Sequence, residues 1–324
     1  MKPFFSILIP VYNQVGKMDE CIASLNAQQF EDYEVIFVND GSTDESGKML
    51  EGFVKEDQRR RVLTHEKNRS LLAARYTGMH DAKGEYILFL DSDDYLADDA
   101  LLRIKEELDK NPVDILRFGY INEPEGSTVP APMSENPLKD LFNGDIAPSV
   151  WKNCYNRKVI ESLLEKTEPF YCNMAEDACI SGMLFSIAGS FGRLDKNLYH
   201  YNTGGMSSGN VSLSLEKLKR DMASVLEAGG HVAAFVEKYR PDYEKNVKVS
   251  ADRMIEFVIF QHVIFEESWD KVFEYLEYVK EGDDGKYSRF FDMACNKLIP
   301  VRVKMHLGIK LTAEDRINIF DRLD

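Results

Sequence analysis

The stretch "YILFLDSDDY", residues 86–95, decides how the chain is read. Four of its first five residues are apolar, and Asp91, Asp93 and Asp94 then fall within four positions. Like charges this close repel, and desolvating them is costly unless a cation or hydrogen-bond donors compensate. A strand that runs into such a cluster implies that the cluster itself is needed.

Working back towards the N-terminus, the same pattern recurs. "FFSILI" (4–9) is a short apolar run ended by Pro10, and "YEVIFVND" (33–40) is a strand that ends in polar residues. "RRVLTHE" (60–66) is a third, weaker strand, and "EYILFLD" (85–91) is the fourth. Between them, Val15, Met18, Ile22 and Leu25 have helical spacing. "GSTDESGKMLEGFVKE" (41–56) reads as a helix capped by Ser42 or Thr43, and "SLLAARYTGMHDAK" (70–83) as a helix closed by Gly84. Strands alternating with helices of this length predict parallel strands joined by right-handed crossovers. In such open sheets ligands bind beyond the carboxyl ends of the strands. Asn13, Asn39, Asp40, His65 and the 91–94 carboxylates all fall there.

Further on, "DALLRIKEELDK" (99–110) reads as a helix and "VDILRFGYI" (113–121) as a strand. Residues 122–137, rich in Pro, Ser, Asn and Glu, read as a loop. The later pattern is helical, through "SLEKLKRDMASVLEAGGHVAAFVEKY", "DRMIEFVIFQHVIFEES", "WDKVFEYLEYVKE" and "TAEDRINIFDRL". This divides the chain into an α/β domain over 1–210 and a mainly helical region over 211–324. In that second region "VIFQHVIF" and "FFDMACNKLIPVRVKMHLGIK" read as core-packing segments, with an apolar or basic docking face as the other reading.

Composition bounds the partners. The 324 residues are 44% hydrophobic, enough for a substantial core, and the net charge is −15. That balance argues against nucleic-acid binding, which rests on Lys and Arg neutralising phosphates. The five cysteines are scattered with no C-x-x-C pair, the pattern of a reduced, cytosolic chain. The N-terminal "MKPFFSILIPVYN" lacks the features of a signal peptide, and no run approaches the roughly 20 apolar residues that span a bilayer. Peripheral contact with a membrane surface stays open.

Four segments in order, "SILIPVYN" (6–13), "VNDGSTDES" (38–46), "NRSLLAARYTG" (68–78) and "GEYILFLDSDD" (84–94), resemble the successive signatures of the family 2 glycosyltransferases. "AED" (175–177) and "YHYNTGGMSS" (199–208) are similar to the family's later, acceptor-side motifs. The resemblance covers roughly residues 4–208. It implies a GT-A fold, a Rossmann-like and mostly parallel sheet flanked by helices, here with a helical C-terminal extension. It also implies an inverting, metal-dependent transfer of sugar from a nucleoside-diphosphate sugar, with UDP the expected carrier. The acceptor would be a carbohydrate or glycolipid hydroxyl in cell-surface polysaccharide or glycoconjugate synthesis, on the cytoplasmic side.

Roles follow from the resemblance, residue by residue. Pro10, Val11, Tyr12 and Asn13 line the base pocket, with Tyr12 offering a face for stacking. Asp40 accepts from a ring N–H of the base. Arg75 lies near the diphosphate or supports the D-x-D loop. Asp91 and Ser92 reach the nucleotide, Asp93 and Asp91 hold Mg²⁺ or Mn²⁺, and His200 is a further metal-ligand candidate. Asp177 is the base that takes the acceptor's proton, and Glu176 orients the acceptor. Plain readings stand beside these. Asp40 and the 91–94 acids also read as helix caps, Arg75 as a surface or salt-bridging cation, His200 as structural, and Trp151 as either an acceptor-side aromatic or core. One of His65, Glu66 and Lys67 is placed to reach the nucleotide. Ser70 and Tyr76 depart from the family pattern, which has Gly and Asn there. "NTGGMSSGN" (202–210) reads as a loop able to close over a donor. A nucleotidyltransferase lacks support because "PVYNQVGK" carries a single Gly and a single Lys. A glycoside hydrolase would also use paired carboxylates, but a D-x-D at a strand end suits phosphate chemistry better. An inactive sugar-nucleotide-binding or scaffold protein is the alternative function.

Overall fold

The computed structural model describes residues 2–172, 174–203, 213–307 and 309. Contacts divide the chain into two units, Met1–Leu138 with Pro148–Asn210, and Lys139–Ala147 with Val211–Asp324.

The first unit begins β1 (Phe5–Val11), α1 (Asp19–Asn26), β2 (Tyr33–Asn39), α2 (Ser46–Glu56) and β3 (Arg60–Thr64). It continues α3 (Leu71–Asp81), β4 (Tyr86–Phe89), β5 (Tyr95–Leu96), α4 (Ala100–Lys110), β6 (Ile115–Glu123) and β7 (Ser127–Val129). After α5 (Pro137–Asn143) come β8 (Asn153–Asn156), α6 (Arg157–Leu164), α7 (Glu176–Ile187) and β9 (Phe191–Asn202). The strands form one sheet in the order β3-β2-β1-β4-β8-β6-β9-β5, with β7 on β6. The β3, β2, β1 and β4 neighbours are all parallel, as the sequence predicts. Every residue of β1, β2 and β4 is buried, which is why those strands read as continuous apolar runs.

Several local expectations are corrected. β1 passes through Pro10 and ends at Val11 rather than stopping at Ile9. Leu8 pairs with Phe89 at the last β1–β4 position, and the Leu8 carbonyl accepts from Leu90 N–H. Pro10, two residues on, faces that same side after β4 has ended, so its missing N–H removes no ladder bond. Gly84 does not cap α3, whose last turn ends at Ala82. A Cβ on Gly84 would lie 2.4 Å from the Ser6 backbone nitrogen, so the residue is Gly because two chain segments touch there. The 122–137 loop is partly strand, since β6 runs on to Glu123 and β7 pairs with it.

β8 is antiparallel to both β4 and β6, while β6 and β9 run parallel with a register shift between Phe118 and Tyr120. α3 packs on β1 and β2 and also meets α6 and α7. That contact carries one helix from the strand ends to the second half of the unit.

In the second unit α8 (Leu215–Tyr239) and α9 (Glu244–Phe265) pack together, followed by α10 (Trp269–Gly285), which leaves helical geometry from Gly282 to Asp284. Ser214 and Ser268 cap α8 and α10 by accepting from Lys217 and Lys271 N–H. Met222, Val258 and Val272 are buried. From "FFDMACNKLIPVRVKMHLGIK", Ala294, Leu298 and Val301 are core, whereas Val303, Met305, Leu307 and Ile309 are exposed. The "TAEDRINIFDRL" expectation lies outside the described residues. Among those described, no helix is long and apolar enough to cross a membrane. All five cysteines are free, and all but Cys295 are buried.

Candidate functional site

The carboxyl ends of β1, β2 and β3 converge through side-chain bonds rather than helix caps. Ser42 and Thr43 do not cap α2, which begins at Ser46 behind Glu45. Instead the Ser42 hydroxyl accepts from Asn13 N–H (3.1 Å), and the Asn13 amide oxygen accepts from Thr43 N–H (2.8 Å). Asn13 has φ 53°, and Gly41 has φ 67° with no room for a Cβ, which would sit 2.4 Å from the Lys67 carbonyl carbon. Pro10 and Val11 are buried in β1, while Tyr12 is 37% exposed and free to present a ring face. Asp40 is not a cap either. Its Oδ1 lies 2.6 Å from His65 Nδ1 and accepts from Arg69 N–H (2.8 Å). His65 Nε2 meets the Thr77 hydroxyl at 2.9 Å.

A second cluster forms around Arg75, which is not a surface cation but 1% exposed on α3. Its Nη2 donates to Asp91 (3.0 Å), and its Nη1 reaches Glu176 (3.4 Å) and Asp177. One guanidinium therefore joins the D-x-D loop to the acid pair at the start of α7, a hundred residues later. Asp177 also accepts from Val150 N–H, on the single turn Val150–Lys152. Burial pushes the Asp177 carboxyl up and Arg75 holds it down. Glu176 is raised by burial and by the charge of Asp177, with Arg75 opposing. Those acids hold the guanidinium firmly protonated despite its burial. Two non-glycine residues with positive φ flank the cluster, Ser70 (87°) and Ala175 (74°). Strain of this kind collects at functional positions. Ser70 thus holds a backbone shape that favours glycine, and its hydroxyl accepts from Cys172 N–H. Tyr76 is buried with its hydroxyl 2.8 Å from that of Thr167.

Asp94, read as a possible cap, joins the D-x-D loop to β9. Its carboxylate accepts from the Tyr199 hydroxyl (2.6 Å) and from Asn202 N–H (2.7 Å). Tyr199 accepts in turn from Asp91 N–H (3.2 Å). Burial, then the Asp91 charge, pushes Asp94 up to about 8. Ser92 is buried and Asp93 is half-buried. Trp151 is core, stacked on Tyr199 and Tyr201 with centroids at 4.4 and 5.2 Å. His200 bonds through Nδ1 to Glu123 (2.9 Å) and stacks on Tyr95 (4.3 Å), lining an open groove of about 590 Å³ with Glu20 and Asp98. Asn173 and the closing loop at 204–210 lie outside the described residues.

No three His, Cys, Asp or Glu side chains converge as a ready metal cage among the described residues. Mg²⁺ does not need one, because it is bound through one or two carboxylates plus substrate phosphates. The repelling acids of residues 91–94, with Asp93 and Asp91 both raising Asp94, fit a hard cation. The arrangement offers three things: an aromatic face with a fixed carboxylate, a carboxylate loop that can take a hard cation, and a half-buried acid of raised basicity.

Sequence reading missed the Asp40–His65–Thr77 chain and the Tyr199 bridge. The first had a signal in a His directly after β3. The second had none, because Tyr199 is 105 residues from Asp94.

A family model described as "Glycosyl transferase family 2" matches residues 6–171. A Bacillus subtilis (strain 168) protein described as "Uncharacterized glycosyltransferase EpsJ" is 34% identical over 215 residues, 62% of this chain and 61% of that protein. The chain thus spans about three-fifths of the length of this curated relative. Among solved structures, S. aureus TarS 1-349 in complex with UDP superposes with TM-score 0.61 at 20% identity, covering 95% of this chain and 93% of that one. The mannosyltransferase PcManGT from Pyrobaculum calidifontis, in complex with GDP-Man and Mn²⁺, gives TM-score 0.52 at 12% identity over 92% and 88% of the two chains. The fold is the GT-A fold with a helical C-terminal region.

Proposed function

The chain belongs to glycosyl transferase family 2, and from that membership we propose that it transfers a sugar from a UDP-sugar to an acceptor hydroxyl with inversion. The observation that carries this reading is Arg75, which holds the D-x-D Asp91 and the Glu176–Asp177 pair on one guanidinium. A donor-side loop and an acceptor-side base are thereby kept in register. The TarS complex with UDP supports the choice of uridine, and the PcManGT complex supports a divalent metal.

The roles we assign are those the family resemblance implies, and the placement of these residues supports them. Tyr12 stacks on the base, and Asp40 accepts its ring N–H. Asp91 and Ser92 bound the nucleotide where β4 ends. Asp93 and Asp91 are the residues that would hold Mg²⁺ or Mn²⁺, which when bound supplies positive charge to the departing diphosphate. Asp177 takes the proton of the acceptor hydroxyl as that oxygen attacks the anomeric carbon from the face opposite the leaving group. Burial raises its basicity, and Arg75 opposes that rise. Glu176 orients the acceptor. Arg75 acts through the acids it holds, which favours its supporting role over a direct diphosphate contact. His200 keeps Nδ1 on Glu123, an arrangement that leaves Nε2 for the further metal-ligand role. We assign the acceptor to a carbohydrate or glycolipid of cell-surface polysaccharide or glycoconjugate synthesis, met on the cytoplasmic side of the membrane. Family kinship supports that assignment.

The test is a thermal-shift screen of nucleotide sugars with and without Mn²⁺, on the wild type and Asp93→Ala. A UDP-sugar at about a hundredfold its Kd stabilises by about 2.7 kcal/mol. That shift is expected only with metal and only in the wild type. A wild type whose melting no nucleotide or nucleotide sugar moves would sink the proposal.

A further inference from the structure

The bonds around Asp40 go beyond base contact and bear on which base is chosen. Asp40 is 3% exposed at the end of β2, and its Oδ1 takes two partners, His65 Nδ1 at 2.6 Å and Arg69 N–H at 2.8 Å. Two donors fill the lone pairs of that oxygen. No described residue donates to Oδ2. A carboxylate only accepts, so the proton of His65 sits on Nδ1. Nε2 meets the Thr77 hydroxyl, 2.9 Å away on α3. His65 is itself 8% exposed, and both its ring nitrogens are held by protein partners. The carboxylate plane is thus locked from behind, with one oxygen spent and one left.

We propose that His65 is a specificity-determining positioning residue: with Thr77 it engages one oxygen of Asp40, so the site offers the base a single acceptor. The inference rests on the donor-site reading of Asp40. A single acceptor matches uracil, which shows one ring N–H between two carbonyls. Guanine presents a ring N–H beside an exocyclic NH₂ and wants two acceptors, as a carboxylate with both oxygens free would supply. Cytosine presents a ring acceptor at that edge and is repelled. Removing the imidazole weakens the grip on uracil, because the carboxylate can turn, and opens Oδ1 towards guanine.

The experiment is titration calorimetry of the full chain with UDP, GDP and CDP in Mn²⁺, on wild type, His65→Ala, His65→Asn and Thr77→Val. Asn can place an N–H close to where imidazole Nδ1 sits. His65→Ala is expected to weaken UDP about tenfold and to narrow the UDP-over-GDP preference by a similar factor, while His65→Asn stays within about threefold of wild type. Thr77→Val is expected to fall between them, and long-range ¹H–¹⁵N spectra should show the His65 proton on Nδ1 in both the wild type and Thr77→Val, because Asp40 accepts it in both. His65→Asn and Thr77→Val keep the test alive should His65→Ala fail to fold. An unchanged preference in His65→Ala, or an equal loss for all three nucleotides without rescue by Asn, overturns the inference. A wild type that binds no nucleoside diphosphate overturns the donor-site reading instead, so the two failures are told apart.

Discussion

Replacing Arg75 by Met keeps the length and the apolar stem of the side chain and deletes the charge that three acids share. Arg75 is 1% exposed, and its partners Asp91, Glu176 and Asp177 have side chains 24%, 15% and 25% exposed. Deleting one member of a buried ion pair typically costs about 3–5 kcal/mol, because the remaining charge is stranded. The partial wetness of all three acids puts this case at the low end, near ~3 kcal/mol. At roughly 2–4 °C per kcal/mol for a domain of about this size, the unit carrying the site should melt about 6–12 °C lower. The loss should depend on pH, and its sign is fixed. Burial already raises Glu176 and Asp177, and without the cation that held them down they rise further. The folded state then binds more protons than the unfolded one, so stability falls as pH rises through the window between the ordinary carboxylate value and the raised one. The deficit should be small near about pH 5 and full near about pH 8. Circular-dichroism melts of wild type, Arg75→Met and Arg75→Met/Asp177→Asn at both pH values measure it. The double variant should recover part of the loss, since the partners couple. A deficit equal at the two pH values, or one below about 2 °C near pH 8, would refute the view that Arg75 neutralises the acid cluster.

Three other outcomes are expected. Asp177→Asn should lower sugar transfer by about 10²–10⁴-fold while UDP affinity measured by calorimetry is kept, because a general base acts on the acceptor and not on the donor. Asp94 is raised to about 8 by burial and by Asp91, so its folded form resists ionisation and stability should fall between about pH 4 and pH 8. Asp94→Asn should flatten that fall, raising the melting temperature more at about pH 8.5 than at about pH 5; the reverse order would contradict the assignment. Gly41→Ala puts a Cβ 2.4 Å from the Lys67 backbone at a φ of 67°. It should cost at least about 2 kcal/mol in a denaturant melt, combining the penalty of a left-handed residue with a clash that only backbone movement relieves.

What could be read in the sequence and what could not divides along the distance between partners. β1, β2 and β4 were legible because a strand buried on both faces must be nearly all apolar. The D-x-D loop was legible because three acids after such a strand are conspicuous under any tertiary structure. Ser42 and Thr43 misled, and Asp40 carried two readings, because a helix-capping oxygen and a loop-bridging oxygen are chemically the same. Only the position of Asn13, about thirty residues earlier, and of His65, 25 residues later, decides between the two uses. Gly84 misled for the same reason, since a cap and a close approach both call for Gly and the approaching Ser6 is far away in sequence. Arg75 is the extreme case. Its local pattern on α3 is that of any helical Arg, and its meaning comes from Glu176 and Asp177, 101 and 102 positions on. A buried cation needs anions, and a buried acid pair needs a cation. Each half of that requirement was read in the sequence by itself, Arg75 near the diphosphate or under the D-x-D loop and Glu176 and Asp177 on the acceptor side, without the contact between them. The fold makes them one object, and the loop strain at Ser70 and Ala175 beside it is a cost the chain carries to keep both halves in contact.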